Sequence, residues 1–297
     1  MRVVRVGVVD VGANTARLLV AEPAPYGLAR VTEERFPLGL GAEVEQGGEI
    51  SAAKLVEVEQ AARQLVTAAR AAHAERIDVL VTSPGRQAAN GAELAAAIQR
   101  GCGLRARVLS ADDEARLAYA GALAASPTAA TTVAVCDVGG GSAQLAVGSP
   151  EGGPAWVRSI DAGSLRLTRR YLEADPPTRT ELRRAERAVE QALEHVTPPL
   201  PRAALAVGGT ARALKKLVGP TLGAEELAQA AALLRRRRAK QISSEYGIAR
   251  WRAEVLPGGA LLVIALQRLL AVPFEVVRGG VREGAALALL ERAEAAA

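Results

Sequence analysis

The chain has 297 residues, 49% hydrophobic and 23% charged, a balance that fits a globular protein with a large core and excludes disordered and fibrous classes. Its net charge of +5 points to an acidic partner, and because Lys54, Lys215, Lys216 and Lys240 are the only lysines the cations are nearly all arginines, whose planar fork suits phosphate oxygens. Aromatics at 3% leave too few stacking side chains for a DNA or RNA module, and apolar runs such as residues 260–266 fall short of the roughly 20 needed to span a bilayer, so no membrane association and a cytoplasmic location are expected.

Residues 3–10 and 16–22 read as two strands joined by a turn over 11–15, and residues 28–38 as a third. The start, Met1 to Val6, reads as part of a strand rather than a signal peptide. From Ser51, which reads as the N-cap, to Ala74 apolar residues recur at helical spacing. A strand over 77–82 then delivers the loop Ser83-Pro84-Gly85-Arg86-Gln87. A helix over 91–100, a strand over 105–109 and a helix from Ser110 to Ala124 follow. Ala125-Ser126-Pro127-Thr128 is the best linker. Beyond it the strand, turn, strand plan restarts as a hairpin over 132–148. A strand over 155–161, helices over 164–172 and 179–195, and a strand over 203–207 come next. After the turn at 208–210 the chain is mainly helical, with a short strand over 274–277 and a last helix entered through residues 279–284.

The doubled start implies two related α/β lobes with mixed sheets, 1–124 and 125–297, the final helix being free to pack back on the first lobe. A cleft between lobes is the expected ligand site. Cys102 and Cys136 are the only cysteines and read as buried and inert. His73 and His195, the only histidines, read as surface residues in helical, polar contexts. Serine triads and histidine metal centres are therefore excluded, and hydrolytic chemistry must come from carboxylates, arginines, backbone amides and a hard cation. The run Arg235-Arg236-Arg237-Arg238 falls on a predicted helix and reads either as a solvated face or as a polyanion contact.

The segments Asp10-Val11-Gly12-Ala13-Asn14-Thr15 and Asp137-Val138-Gly139-Gly140-Gly141-Ser142 share one plan. Each is an apolar strand ending in Asp, then a tight turn that brings backbone N–H groups toward an anion. A third glycine turn, Gly208-Gly209-Thr210, follows another strand and opens a helix, whose N-terminus adds partial positive charge.

With Thr82-Ser83, Arg86, Asn90, Leu109-Ser110, Glu114 to Tyr119, Ala162 to Thr168 and Arg282-Glu283-Gly284, these segments resemble, in order and spacing, the exopolyphosphatase and guanosine pentaphosphate phosphatase (Ppx/GppA) family in its short, two-domain form. The resemblance covers practically the entire chain. It implies two ribonuclease H-like lobes of the actin, sugar kinase and heat-shock ATPase superfamily, with mixed β-sheets flanked by helices. It also implies hydrolysis of terminal phosphoanhydride bonds of polyphosphate or guanosine pentaphosphate with Mg2+ or another divalent cation. By the same resemblance Glu114 would orient the attacking water, and Asp137, with Asp10, would hold the metal. Asn14, Thr15, Arg17 and Arg86, with the amides of Gly139, Gly140, Gly141, Ser142, Gly208, Gly209 and Thr210, would cradle the phosphate chain. Family members often form homodimers, although no stripe in this sequence identifies an interface.

Two departures bear on activity. Gln144 stands where the family commonly has Glu, so one carboxylate of the implied metal site is neutral, although the amide carbonyl can still coordinate. The 84–87 loop reads Pro-Gly-Arg-Gln rather than the family's Ala, variable residue, Arg, Asp. Three readings therefore stand: a phosphohydrolase, a catalytically weakened protein that binds or senses phosphate chains, and an ATP-dependent small-molecule kinase of the same superfamily.

Overall fold

The structure, a computed structural model, describes residues 4–25 and 27–295. In chain order the first elements are β1 (Val6–Val11), β2 (Thr15–Pro23), β3 (Leu28–Pro37), α1 (Leu40–Gly47), α2 (Ala52–Ala71), β4 (Arg76–Val81), α3 (Ser83–Gln87), α4 (Gly91–Cys102), β5 (Ala106–Val108) and α5 (Ala111–Ala125). There follow β6 (Val133–Val138), β7 (Ala143–Ser149), β8 (Gly153–Ile160), α6 (Ser164–Tyr171), α7 (Arg179–Leu193), β9 (Ala203–Val207), α8 (Gly208–Val218), β10 (Thr221–Leu222), α9 (Ala224–Leu234), α10 (Ala239–Tyr246), α11 (Arg250–Leu270), β11 (Phe274–Val276) and α12 (Val281–Glu294). Residues 1–3, the start of the first predicted strand, lie outside the described residues.

Contacts group residues 1–125 and 279–297 into one compact unit and residues 126–278 into a second. Glycine explains why the last helix belongs to the first unit. A Cβ on Gly121 would strike the Gly280 carbonyl, and one on Gly284 would strike that of Leu117. With no side chains there, the backbones of α5 and α12 meet directly.

The first unit holds a five-stranded sheet, ordered β3-β2-β1-β4-β5. The second holds a six-stranded sheet, ordered β10-β11-β9-β6-β7-β8. Each is an antiparallel three-strand meander extended by parallel strands, β1 pairing with β4 and β4 with β5, as β6 pairs with β9 and β9 with β11; in the second sheet β10 adds an antiparallel edge on β11. The β1 and β6 runs are buried throughout except at Asp10 and Asp137, as central strands covered on both faces require. The mixed two-sheet α/β architecture read from the doubled plan is the architecture observed. Leu18, Leu65 and Ile98 lie in the first core, and Leu145, Leu214, Leu256 and Phe274 in the second.

Several local readings need correction. Residues 83–87 form the short helix α3 rather than a loop, because Pro84 sits in a first turn, where its missing N–H costs nothing. Helix α1 escaped the periodicity test because it has eight residues and two apolar anchors, Leu40 and Val44, between left-handed Gly39 and Gly48. The arginine run is not helical: α9 stops at Leu234, and all four arginines are exposed in the turn before α10. His73 and His195 lie in turns just past α2 and α7 rather than within helices, and both are exposed. Cys102 and Cys136 are buried and unpaired by disulfide. Helix α11 is long and apolar enough, by length and composition, to cross a membrane; here it is mostly buried, packed on α6, α8 and α9.

The entry to α7 is the strongest local cap. Thr178 Oγ1 accepts from the Glu181 amide (3.2 Å), and Glu181 returns bonds to the amides of Thr178 (2.7 Å), Glu173 (2.8 Å) and Ala174 (3.0 Å). The hydrogen bond from the Thr178 amide is the chief reason its carboxyl pKa falls to about 2. A depressed carboxyl pKa contributes stability that is present above the unfolded value and lost as pH falls through the folded one. Glu181→Ala should therefore lower the unfolding free energy at pH 7 by about 1–2 kcal/mol. Urea titrations of both proteins should show that gap closing between about pH 4.5 and pH 2.

Candidate active site

In the first unit the parallel register, Val11 opposite Val81 and Val81 opposite Val108, brings the carboxyl ends of β1, β4 and β5 to one edge of the sheet, where open α/β sheets carry ligands. Asp10 and the 12–15 turn leave β1, Thr82 and Arg86 follow β4, and Ser110 and Glu114 follow β5. Ser110 starts α5: its hydroxyl accepts from the Asp113 amide at 3.0 Å and its carbonyl from the Glu114 amide at 3.0 Å. Glu114 is buried and pairs through Oε2 with Arg86 Nη2 at 2.8 Å, while Arg86 Nη1 donates to the Leu109 carbonyl at 2.9 Å. Arg86, which the resemblance places on the phosphate chain, is engaged here by Glu114 and the Leu109 carbonyl. Asn90 bonds Ile50 through both its amide atoms, at 2.8 and 2.9 Å, a structural role.

Asp10 faces Arg17 across the β1–β2 hairpin, and Arg17 Nε donates to Thr15 Oγ1 at 3.1 Å. Oδ1 of Asp10 is buried and accepts no hydrogen bond among the described residues. Burial raises the Asp10 pKa, Arg17 and Arg282 oppose that rise, and Glu283 adds to it. Arg282 and Glu283 were legible only as a motif without a role. The structure holds Glu283 on Arg30 (2.7 Å) and Arg282 on the Leu18 carbonyl (3.2 Å), with both in the field of Asp10.

In the second unit Asp137 lies opposite Gln144 on β7, the pairing that Asp10 makes with Arg17. Gly208, at φ +85°, begins α8, and a Cβ there would collide with Asp137 Oδ1; only glycine lets that carboxylate lie against the β9–α8 junction. Thr210 Oγ1 donates to the Val138 carbonyl at 3.0 Å, so the 208–210 and 139–142 turns are tied together. Gln144 is buried and donates through Nε2 to Ser142 Oγ at 2.9 Å and Ser159 Oγ at 3.4 Å. Two contributors went unread in the sequence: the Gly258-Gly259 pair of α11, against which Ser164 and Thr210 pack, and buried Arg252, whose guanidinium lies against Gly209 and 4.3 Å from the Trp251 ring centre. Arg252 stands between Arg250 and Glu254 at the charged start of α11, so its letter alone gave no signal.

Both hairpin turns close alike, Gly12 N donating to the Thr15 carbonyl and Gly139 N to the Ser142 carbonyl, each at 3.0 Å. The Gly139 amide is therefore engaged within the turn. Each turn is then clamped by amides at or before a helix start. Gly41 N bonds the Ala13 carbonyl at 2.7 Å, and Leu38 N and Gly39 N bond that of Asn14 at 3.0 and 3.1 Å. Ser164 N bonds the Gly139 carbonyl at 2.9 Å, and Leu165 N and Arg166 N bond that of Gly140 at 3.0 and 3.1 Å. Because a trans peptide points its N–H opposite to its C=O, the clamped carbonyls turn the amides of Asn14 and Thr15, and of Gly140 and Gly141, away from the clamping helix. Outward amides of this kind are the ones an anion accepts from.

Among the described residues no three His, Cys, Asp or Glu side chains gather as a metal cage. A magnesium ion does not require one, since it keeps waters and takes one or two carboxylates with phosphate oxygens. The unpartnered Asp10 oxygen fits that demand directly. In the second unit Asp137, with the Gln144 side chain beside it, supplies one carboxylate.

Residues 19–293 match the model of the Ppx/GppA phosphatase family. Exopolyphosphatase 2 of Mycobacterium tuberculosis is 31% identical over 301 aligned positions, covering 90% of this chain and 91% of that protein. Exopolyphosphatase 1 of Mycobacterium leprae is 26% identical, covering 97% and 90%. Among solved structures, the Ppx/GppA protein of Aquifex aeolicus superposes with a TM-score of 0.83 at 23% identity over 98% of this chain and 99% of that one. An exopolyphosphatase from Cytophaga hutchinsonii gives 0.88 at 19% identity over 97% and 98%. Those two similarities establish a shared fold.

A raised carboxyl pKa means that ionised Asp10 opposes folding: the stability contributed by its protonated form is lost as pH rises through the folded pKa. Without divalent cations, Asp10→Asn should raise the melting temperature at pH 7 by about 2–4 °C, the shift of ~1 kcal/mol, and the gain should vanish in acid. Added Mg2+ should stabilise the native protein in the same scans and leave the variant nearly unmoved.

Proposed function

This chain belongs to the Ppx/GppA phosphatase family, and from that premise we propose that it hydrolyses terminal phosphoanhydride bonds of inorganic polyphosphate, of guanosine pentaphosphate, or of both. Polyphosphate is supported by the relatives named exopolyphosphatase, and a phosphatase family favours water over the acceptor of an ATP-dependent kinase. The observation that carries the reading is the buried Glu114, fixed by Arg86 at the strand edge that also presents Asp10 and the 12–15 turn.

A carboxylate in that position accepts a hydrogen bond from water and aims its lone pair at a terminal phosphorus, as phosphoryl transfer requires little else from a protein than positioning and charge. Arg86, anchored on the Leu109 carbonyl, places its charge 2.8 Å from Glu114 Oε2. In the first unit the outward amides of Asn14 and Thr15, with Arg17, and in the second unit the outward amide of Gly140, with the start of α8 at Gly208, Gly209 and Thr210, each suit non-bridging phosphate oxygens. Asp10 in the first unit, and Asp137 with the Gln144 carbonyl oxygen in the second, are each candidate ligands that would hold Mg2+. When bound, the ion neutralises phosphate charge that would otherwise repel Glu114.

Gln144 supports a second reading, a protein of this family that holds phosphate chains and turns them over slowly. Its amide is engaged by two serine hydroxyls, so it is built into the sheet as a neutral group. Glu114→Gln should reduce phosphate release from polyphosphate by about 10^2–10^4-fold, with affinity for the chain, measured by fluorescence anisotropy, nearly unchanged. Undiminished release by that variant would overturn the assignment. Gln144→Glu should lower the Mg2+ concentration giving half-maximal release, as an added carboxylate ligand would. An unchanged Mg2+ curve would place residue 144 outside the metal site.

A further inference from the structure

Helices α7 and α9 both pack on α11 in the second unit, and a trough of about 670 Å3 lies over α11 between them. That volume falls within the range of small-molecule sites, about 300–1,000 Å3. Its floor is Leu261 and Ile264 of α11, its walls Val189 and Leu193 of α7 and Leu227 and Ala231 of α9. It is apolar, and it belongs to none of the turns described above.

At one end the trough shares Leu182, Glu186 and Arg235 with a second cavity of about 420 Å3. Four arginines line that cavity: Arg179 and Arg183 from the first turns of α7, and Arg235 and Arg236 from the turn after α9. None of their guanidinium groups makes an ion pair or side-chain hydrogen bond with another described residue. Glu186 is the only acid among them. Glu190 and Glu194 flank the trough further along α7, Glu194 lying about 16 Å from Arg183 by helix rise. Arg268 of α11 also lines the trough, so the polarity is one of balance: four arginines against one glutamate at the start of α7, and two glutamates against one arginine along the rest.

We propose that this trough binds a free, single-chain anionic amphiphile, its phosphate or carboxylate head on Arg179, Arg183, Arg235 and Arg236 and its hydrocarbon tail along α11. Charge complementarity fixes the direction, since Glu190 and Glu194 repel an anionic head from the other end. The unpaired arginines supply the head's charge-assisted hydrogen bonds. The apolar walls supply the affinity for the tail. This ligand differs in kind from a phosphate chain, which has nothing to place against Leu261 and Ile264.

The test is calorimetric titration of the full chain with dodecyl phosphate below its micellar concentration. Inorganic phosphate, dodecanol and phosphatidylglycerol vesicles serve as separate probes. Saturable one-to-one binding of dodecyl phosphate is expected, with inorganic phosphate and dodecanol each at least tenfold weaker. Arg179→Glu combined with Arg235→Glu should weaken binding about tenfold or more. Ala228→Trp, from the exposed side of the α9 wall, should weaken it by filling the trough without touching the arginines. Absence of saturable binding, equal binding of either half-ligand, binding to vesicles alone, or indifference to both variants would each overturn the proposal.

Discussion

Everything at the candidate site depends on the orientation of a few peptide planes. A tight turn is free to point its amides in several directions, and an anion site needs them to agree. Here amides at the starts of α1 and α6 seize the carbonyls of Ala13, Asn14, Gly139 and Gly140, and the planarity of the peptide does the rest. The clamp also satisfies helix-terminal donors that would otherwise need water or a capping side chain. Neither Gly39 before α1 nor Gly163 before α6 supplies a side-chain cap; the turn carbonyls take that part.

Around this shared device the two units differ in side chains. Asp10 stands opposite a cation, Arg17, and in the field of Arg282 and Glu283. Asp137 stands opposite a neutral amide and against a bare glycine Cα. One copy therefore sets an incompletely partnered carboxylate beside arginine, and the other sets a carboxylate against the glycine that opens a helix. The frame is repeated, and the residues at single register positions give each copy its own electrostatics.

Much of this was legible in the chain. The strand, Asp, turn, strand plan is local and marked Asp10 and Asp137 by itself, whereas Arg86 and Glu114 were singled out only by the family resemblance; the parallel register then shows why they fall at the same end of the sheet as Asp10. What escaped was of two kinds. Helix α1 has too few apolar residues to show a period, and its importance lies in amides, which no residue letter reports. The roles of Arg252, Gly258 and Gly259 arise from packing between elements far apart in sequence: a glycine pair inside an apolar helix reads as a weakness until Thr210 and Ser164 are found against it. The arginine run misread as helix shows the opposite error, where helix-favouring letters continue past the end that α9 reaches at Leu234.

The most direct test of the account is to run the reaction in 18O-labelled water, with purified protein, Mg2+ and polyphosphate and no nucleotide, and to weigh the released orthophosphate. Water aimed by Glu114 at the terminal phosphorus predicts one 18O in each phosphate set free, and almost no labelled phosphate from Glu114→Gln. Label appearing equally with that variant, or no release from polyphosphate or guanosine pentaphosphate while either ligand binds, would contradict it.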